Sequence, residues 1–160
     1  MEILRIRPAE WESFRDTRLR ALADSPSAFG SSLARERDRQ EAEWRTRLGR
    51  PDGAIFAARE GSAWFGLAGS YLDEEDPSVA WVVSMWVAPE ARRRGVGRQL
   101  VESCVDWARE RGATEVRLWV TRGNDPARTL YEAAGFEPTG ATQPLPSDPS
   151  LEEDELSLRL

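Results

Sequence analysis

The chain has 160 residues, of which 40% are apolar and 31% charged, with seven tryptophans and a net charge of −6. That length suits one folded domain (residues 1–160) with a continuous core, no run approaches the ~18 uninterrupted apolar residues of a membrane helix, and an acidic body opposes general nucleic-acid binding. With no histidine, and arginine as the only basic residue type, there is no route to Ser-His-Asp catalysis, His-containing metal sites, Schiff-base lysines or a Walker lysine.

The chain opens on Met1-Glu2-Ile3-Leu4-Arg5, and the alternation through Glu2–Arg7 predicts a strand rather than a leader peptide. Pro8 suits the first turn of a helix reaching about Ala23. Asp24-Ser25-Pro26-Ser27 breaks it, and a second helix is expected over Ala34–Leu48. Ala54–Arg59 and Trp64–Leu72 read as strands joined by a short glycine-containing connection, which predicts an antiparallel hairpin. Val79–Val87 is a long apolar strand. A helix then runs to Arg111, with Leu100, Val101, Cys104, Val105 and Ala108 as its buried stripe and Gly112 as its cap. Glu115–Thr121 is a strand, Asp125–Ala134 a short helix, Phe136–Gly140 a strand, Gln143–Ser150 a proline-rich loop and Glu155–Leu160 a last strand. A strand–helix–strand unit in one sheet implies a parallel, right-handed crossover, so the sheet is mixed. Cys104 is the single cysteine and cannot form an intrachain disulfide, and a cytoplasmic protein is the simplest expectation. The exclusive use of arginine hints at a GC-rich bacterial genome.

The sharpest feature lies at a strand-to-helix junction: Val87-Ala88-Pro89-Glu90-Ala91-Arg92-Arg93-Arg94-Gly95-Val96-Gly97-Arg98. Gly95 and Gly97 let main-chain N–H groups approach a ligand, and the helix that follows brings its positive end to the same place. Together with Arg92, Arg93, Arg94 and Arg98 this suits a pyrophosphate. A tight turn with solvated arginines explains the loop alone equally well. A Rossmann turn is disfavoured because Leu100 stands at the last glycine position and hairpins precede the loop. The second dense stretch is Asn124-Asp125-Pro126-Ala127-Arg128-Thr129-Leu130-Tyr131 through Gly135-Phe136. Asp125 is the expected N-cap with Pro126 at the first helical position, which leaves Asn124 free for a ligand. Tyr131, taken alone, reads as a core aromatic.

Taken together, the two stretches resemble a known pair. Arg92-x-x-Gly95-x-Gly97, preceded by Val87-x-Pro89, resembles the coenzyme A pyrophosphate motif of the GNAT superfamily of N-acetyltransferases. Asn124-x-x-Ala127-x-x-Leu130-Tyr131-x-x-x-Gly135-Phe136 is similar to its second signature, and the element order of nearly the whole chain agrees. The resemblance implies an α/β (α+β) fold: a mixed, mostly antiparallel seven-stranded sheet flanked by about four helices, with splayed fourth and fifth strands. It implies acetyl-CoA as cosubstrate and no metal. Met85, Trp86 and Val87 would pair their backbone with the pantetheine arm. Arg92, Arg93, Arg94, Gly95, Val96, Gly97 and Arg98 would hold the pyrophosphate, Asn124 would contact the cofactor, and Tyr131 would sit by its sulfur.

The expected reaction is direct acetyl transfer to a primary amine of a small molecule, peptide or protein, in that order. Tyr131 is the expected proton donor to the departing thiolate. Nucleic acid and membrane are not expected partners, and a homodimer is left open. The fourth strand offers only Ser84 as a polar side chain, so no general base is assigned; a catalytically silent coenzyme A-binding module is the alternative. By the same resemblance, Ser25–Ser32 and Gln143–Ser150 occupy places that would cover the acceptor, and a plain connecting loop explains each equally well.

Overall fold

The computed structural model describes Met1–Leu160. The strands are β1 (Glu2–Arg5), β2 (Gly53–Glu60), β3 (Ala63–Leu72), β4 (Val79–Val87), β5 (Glu115–Thr121), β6 (Glu137–Leu145) and β7 (Asp148–Arg159). The helices are α1 (Trp11–Asp24), α2 (Leu33–Glu36), α3 (Glu41–Leu48), α4 (Val96–Glu110) and α5 (Asp125–Ala133). One sheet takes the order β1-β2-β3-β4-β5-β7-β6. Only β4 and β5 run parallel, as a crossover through α4 requires.

Strand alternation sorts the core into two faces. Ala80, Val82, Val116, Leu118 and Val120 pack with the stripe Leu100, Val101, Cys104, Val105 and Ala108 of α4. Ile6, Ala57 and Leu67 meet Phe14 of α1 and Trp44 and Leu48 of α3 on the other side. There Phe14 and Trp44 pack edge to face at 5.6 Å between ring centroids, the arrangement the aromatic quadrupole favours.

Two predicted elements are corrected. The single helix expected over Ala34–Leu48 is interrupted between Glu36 and Glu41. The interruption goes with a buried charge: Glu36 is 1% exposed and accepts from Arg18 Nε at 3.1 Å, Arg18 Nη2 at 2.9 Å and Arg47 Nη1 at 2.8 Å. Gln143–Ser150, expected as a loop, is instead the hairpin end of β6 and β7. Pro144 is tolerated because β6 is the edge strand. Pro146 falls in the turn, and Pro149 lies at the start of β7 before its pairing with β5 begins at Glu153; the pairing register shifts on either side of Thr142–Pro144.

The decisive irregularity is in β4. Leu67 pairs with Trp86 and Gly69 with Val83, so Ser84 and Met85 together oppose Ala68. Ser84 adopts φ 58°, left-handed backbone that a serine enters only at a cost of ~1–2 kcal/mol. The β4–β5 ladder covers only Val79–Trp81 against Glu115–Arg117. Beyond it the two strands part.

Burial alone would raise the Glu36 carboxyl, but the hydrogen bonds and charge of Arg18, with Arg47, outweigh it and hold the group down at about 2, against an ordinary 4.5. The folded value is the depressed one. The stabilisation, about 3 kcal/mol, is therefore present above pH 4.5 and lost as pH falls towards 2. Glu36→Gln should destabilise the fold at neutral pH by ~3–5 kcal/mol, since two buried guanidiniums lose their anion. It should also flatten the acid limb of the stability curve, as urea unfolding at stepped pH would record.

Candidate active site

Where β4 and β5 part, a cleft of about 660 Å³ opens. Met85, Trp86 and Val87 form one wall, Trp119, Val120 and Thr121 the other, and the start of α4 and the first turns of α5 close its end. Arg92, Arg93 and Arg98 line it, and no aspartate or glutamate does. In a protein of net charge −6, this is a local reversal of sign that suits an anion.

The start of α4 is built for the same charge. Gly95 is its N-cap at φ 77°, and no side chain caps it. The first main-chain N–H groups of the helix therefore have no intrahelical or side-chain acceptor, and the helix dipole adds to them. Arg93, at φ 62°, is also left-handed, and alternating backbone of this kind turns successive N–H groups towards one point. Gly97 has a different role. A Cβ there would lie 3.0 Å from Leu130 Cδ2 and 3.3 Å from Met85 Cε, so glycine lets α4 close against α5 and β4.

One expected cap is corrected, and two side chains of the site are engaged within the chain. Arg92 donates from Nε to the Val87 carbonyl at 2.9 Å and from Nη2 to Asp24 Oδ2 at 2.7 Å, so its guanidinium braces the loop while still lining the cleft. Trp86 Nε1 donates to the same Asp24 oxygen at 3.0 Å. That bond, then Ser25 and Arg92, holds the Asp24 carboxyl below its usual range despite some burial. The Trp86 indole is thus committed to packing. Asn124, not Asp125, is the N-cap of α5: its Oδ1 accepts from Ala127 N at 3.4 Å, while its amide N–H groups remain available to a ligand. Proline at the second helical position fits either register. Arg94 lies outside the cleft walls.

Tyr131 does line the cleft. It is 5% exposed and packs edge to face on Phe136 at 6.1 Å. Burial pushes its phenol well above the ordinary tyrosine range, which keeps the hydroxyl protonated. Cys104 is buried in the α4 stripe and its thiol is likewise pushed up by burial, which opposes any nucleophilic role.

The two segments expected near the acceptor meet each other. Ser147 Oγ donates to the Phe29 carbonyl at 2.5 Å, and Thr121 Oγ1 donates to the Ser27 carbonyl at 2.7 Å. They close over the end of β5. Sequence reasoning missed Arg18, whose Nη1 donates to Ser84 Oγ at 2.9 Å at the bulge. Its one signal was position, a charge on the α1 stripe of Phe14, Ala21 and Leu22.

A family model described as the acetyltransferase (GNAT) family matches residues 6–136. The chain belongs to that family. Mycothiol acetyltransferases from Beutenbergia cavernae and Thermomonospora curvata are 37% identical over 95 residues and 34% identical over 118, or 50% and 73% of this chain. The chain spans only 32% and 37% of their lengths. A Salmonella typhimurium protein, yncA, described as a putative acetyltransferase with its cofactor acetyl-CoA, has a TM-score of 0.77 at 20% identity. That alignment covers 100% of this chain and 94% of the other. The fold is therefore the GNAT fold, splayed strands included.

Gly97→Val should force α4 off Leu130 and Met85, and calorimetry should record at least a ~10-fold loss of coenzyme A affinity, about 1.4 kcal/mol. At Gly95 a Cβ meets nothing within 4 Å, so Gly95→Ala should cost only left-handed backbone strain, ~1–2 kcal/mol. Equal affinities for Gly97→Val and the unaltered protein would contradict the packing role of Gly97.

Proposed function

We propose that the protein binds acetyl-CoA in the β4–β5 cleft and transfers its acetyl group directly to a primary amine of a small molecule. The observation that carries this is a parallel strand pair that parts after three residues and leads to an uncapped, cation-flanked helix start. Family membership supports the acetyl donor. The small-molecule acceptor draws support from relatives named for mycothiol, and peptides and proteins rank behind it.

Acetyl-CoA supplies an acyl thioester already activated for attack. The main-chain N–H groups at Gly95–Arg98, with Arg93 and Arg98 beside them, grip its diphosphate. Met85–Val87 offer main-chain groups on the side where β4 has lost its strand partner, and these align the pantetheine arm as a strand would. The Asn124 amide donates to that arm from the end of α5. Held in this way, the acyl carbon faces the bulge. A main-chain N–H at Met85–Val87 steadies the negative charge that develops on its oxygen.

The acceptor nitrogen forms the new C–N bond, the C–S bond breaks, and the nitrogen gives up one proton while the sulfur gains one. Tyr131 stands ready to donate a hydrogen bond to the departing sulfur. Its raised pKa lies farther above the ~8.5 of a thiol than an ordinary tyrosine would. Its contribution is therefore a charge-stabilising hydrogen bond, with the proton completing its transfer as solvent re-enters. No carboxylate lines the cleft, so the amine must arrive neutral or lose its proton to water. Orientation supplies most of the acceleration, since effective molarities of ~10⁵ M or more are attainable.

The same lack of a carboxylate favours one second reading, a coenzyme A-binding module without turnover. Thiol release from acetyl-CoA across a panel of small amines separates the two. Acceptor-dependent release well above hydrolysis is expected. Binding of acetyl-CoA with no release for any amine would leave the silent module. Tyr131→Phe should lower kcat by ~10–100-fold with coenzyme A affinity nearly unchanged, whereas an unchanged rate would return Tyr131 to core packing.

A further inference from the structure

A second cavity, of about 150 Å³, lies on the sheet face covered by α1 and α3. It shares Val83 and Ser84 with the cofactor cleft, so the two spaces meet at the bulge. Its floor is β3 at Leu67–Tyr71 and its charged walls are Arg18, Arg47 and Arg50, with no carboxylate among the lining residues.

The charge count there does not balance. Glu36, buried behind the wall, is the single anion shared by Arg18 and Arg47. It occupies Nε and Nη2 of Arg18, and Ser84 Oγ takes the remaining Nη1. Only Nη1 of Arg47 reaches Glu36, so its Nε and Nη2 carry no hydrogen bond within the chain. Two neighbouring rings hold this guanidinium in the angle between them, Phe14 at 5.4 Å and Trp44 at 5.2 Å. Such stacking pre-orients a planar fork. Burial, and then the charge of Arg18, press the Arg47 pKa below its usual value, and the charge of an added anion would offset that cost. Arg50 gives Nε and Nη2 to Asp52 and retains Nη1. Tyr71 and Ser84 add hydroxyls. The cavity thus presents several unused donors and no charged acceptor.

We propose that this cavity is the anion subsite of the acceptor, and that it takes a carboxylate through the free edge of Arg47, seconded by Arg50. The acceptor class is then a zwitterionic amino-acid-like molecule. Its carboxylate docks under α3 and its amine points through Ser84 to the acyl carbon. A planar carboxylate matches the guanidinium fork, and the volume admits that group with a short carbon chain. The net charge of −6 favours cationic amines in the bulk, and the subsite reverses that preference locally. This inference rests on the acetyl-transfer reading for the identity of the amine, while the anion contact stands on the arginines alone.

The test uses two product-like probes, N-acetylglycine and its neutral counterpart N-acetylglycinamide, titrated into the full chain while arginine Nε–H signals are followed by NMR. N-acetylglycine should shift the Arg47 signal saturably and bind at least ~10-fold more tightly than the amide, about 1.4 kcal/mol. Arg47→Gln should abolish the difference. Arg50→Gln, which disturbs only a surface pair, should reduce it and keeps the test valid where the Arg47 variant unfolds. Equal binding of both probes, or no arginine shift up to ~100 mM, where even a ~10 mM site would be filled, overturns the subsite. A parallel acetyl-CoA titration separates the two ideas. Cofactor binding without an arginine shift sinks the subsite alone, and arginine shifts without cofactor binding sink the transferase reading alone.

Discussion

One extra residue in β4 shapes the functional half of this molecule. Ser84 and Met85 both stand opposite Ala68, with Ser84 in left-handed backbone, within the stretch of β4 after Trp81 that no longer pairs with β5. A parallel pair that stayed zipped would satisfy its main-chain groups and leave no cleft. Because the pair covers only three residues on each strand, the freed groups of β4 face open space, and the gap leads straight to the uncapped start of α4. The bulge costs backbone strain, and the ladder bonds it forfeits are worth about as much as those a bound pantetheine arm would return.

The side chains around the bulge hold it in place. Arg18 reaches from α1 to Ser84 Oγ and to Glu36, and Glu36 is held in turn by Arg47 of α3. This buried network links all three N-terminal helices to the bulge in the unpaired half of β4. Buried ion pairs add little net stability against an apolar alternative, so the value of this one lies in register: it fixes which residue of α1 sits over which residue of β4. On the far side Asp24 collects Trp86 and Arg92, tying the end of α1 to the arginine- and glycine-rich loop before α4. The N-terminal helices thus set the geometry of a site whose recognisable motifs all lie C-terminal to them.

Much of this was legible in the chain. The α4 stripe from Leu100 to Ala108 and the β2–β3 hairpin follow from periodicity, and the Gly95–Arg98 helix start follows from chemistry concentrated in a few adjacent residues. What stayed hidden depends on long-range contacts. Nothing local distinguishes Asn124 from Asp125 as a cap, since both side chains do the job and Pro126 suits either. The engagement of Arg92 with Asp24, 68 residues away, has no local signal at all. The break after Glu36 is invisible because the reward for turning that residue inward lies on α1 and α3. Pro144, Pro146 and Pro149 signal a loop until β6 is known to be an edge and β7 to start beyond the reach of β5.

Amide hydrogen exchange with and without acetyl-CoA addresses the parted strands most directly. Slowing of at least ~10-fold is expected at Val83–Val87 and at Arg93–Arg98, with little change across the β1–β2 pairing. Unchanged exchange at β4 and the α4 start, or protection confined to some other surface, would contradict a cofactor lying between these strands.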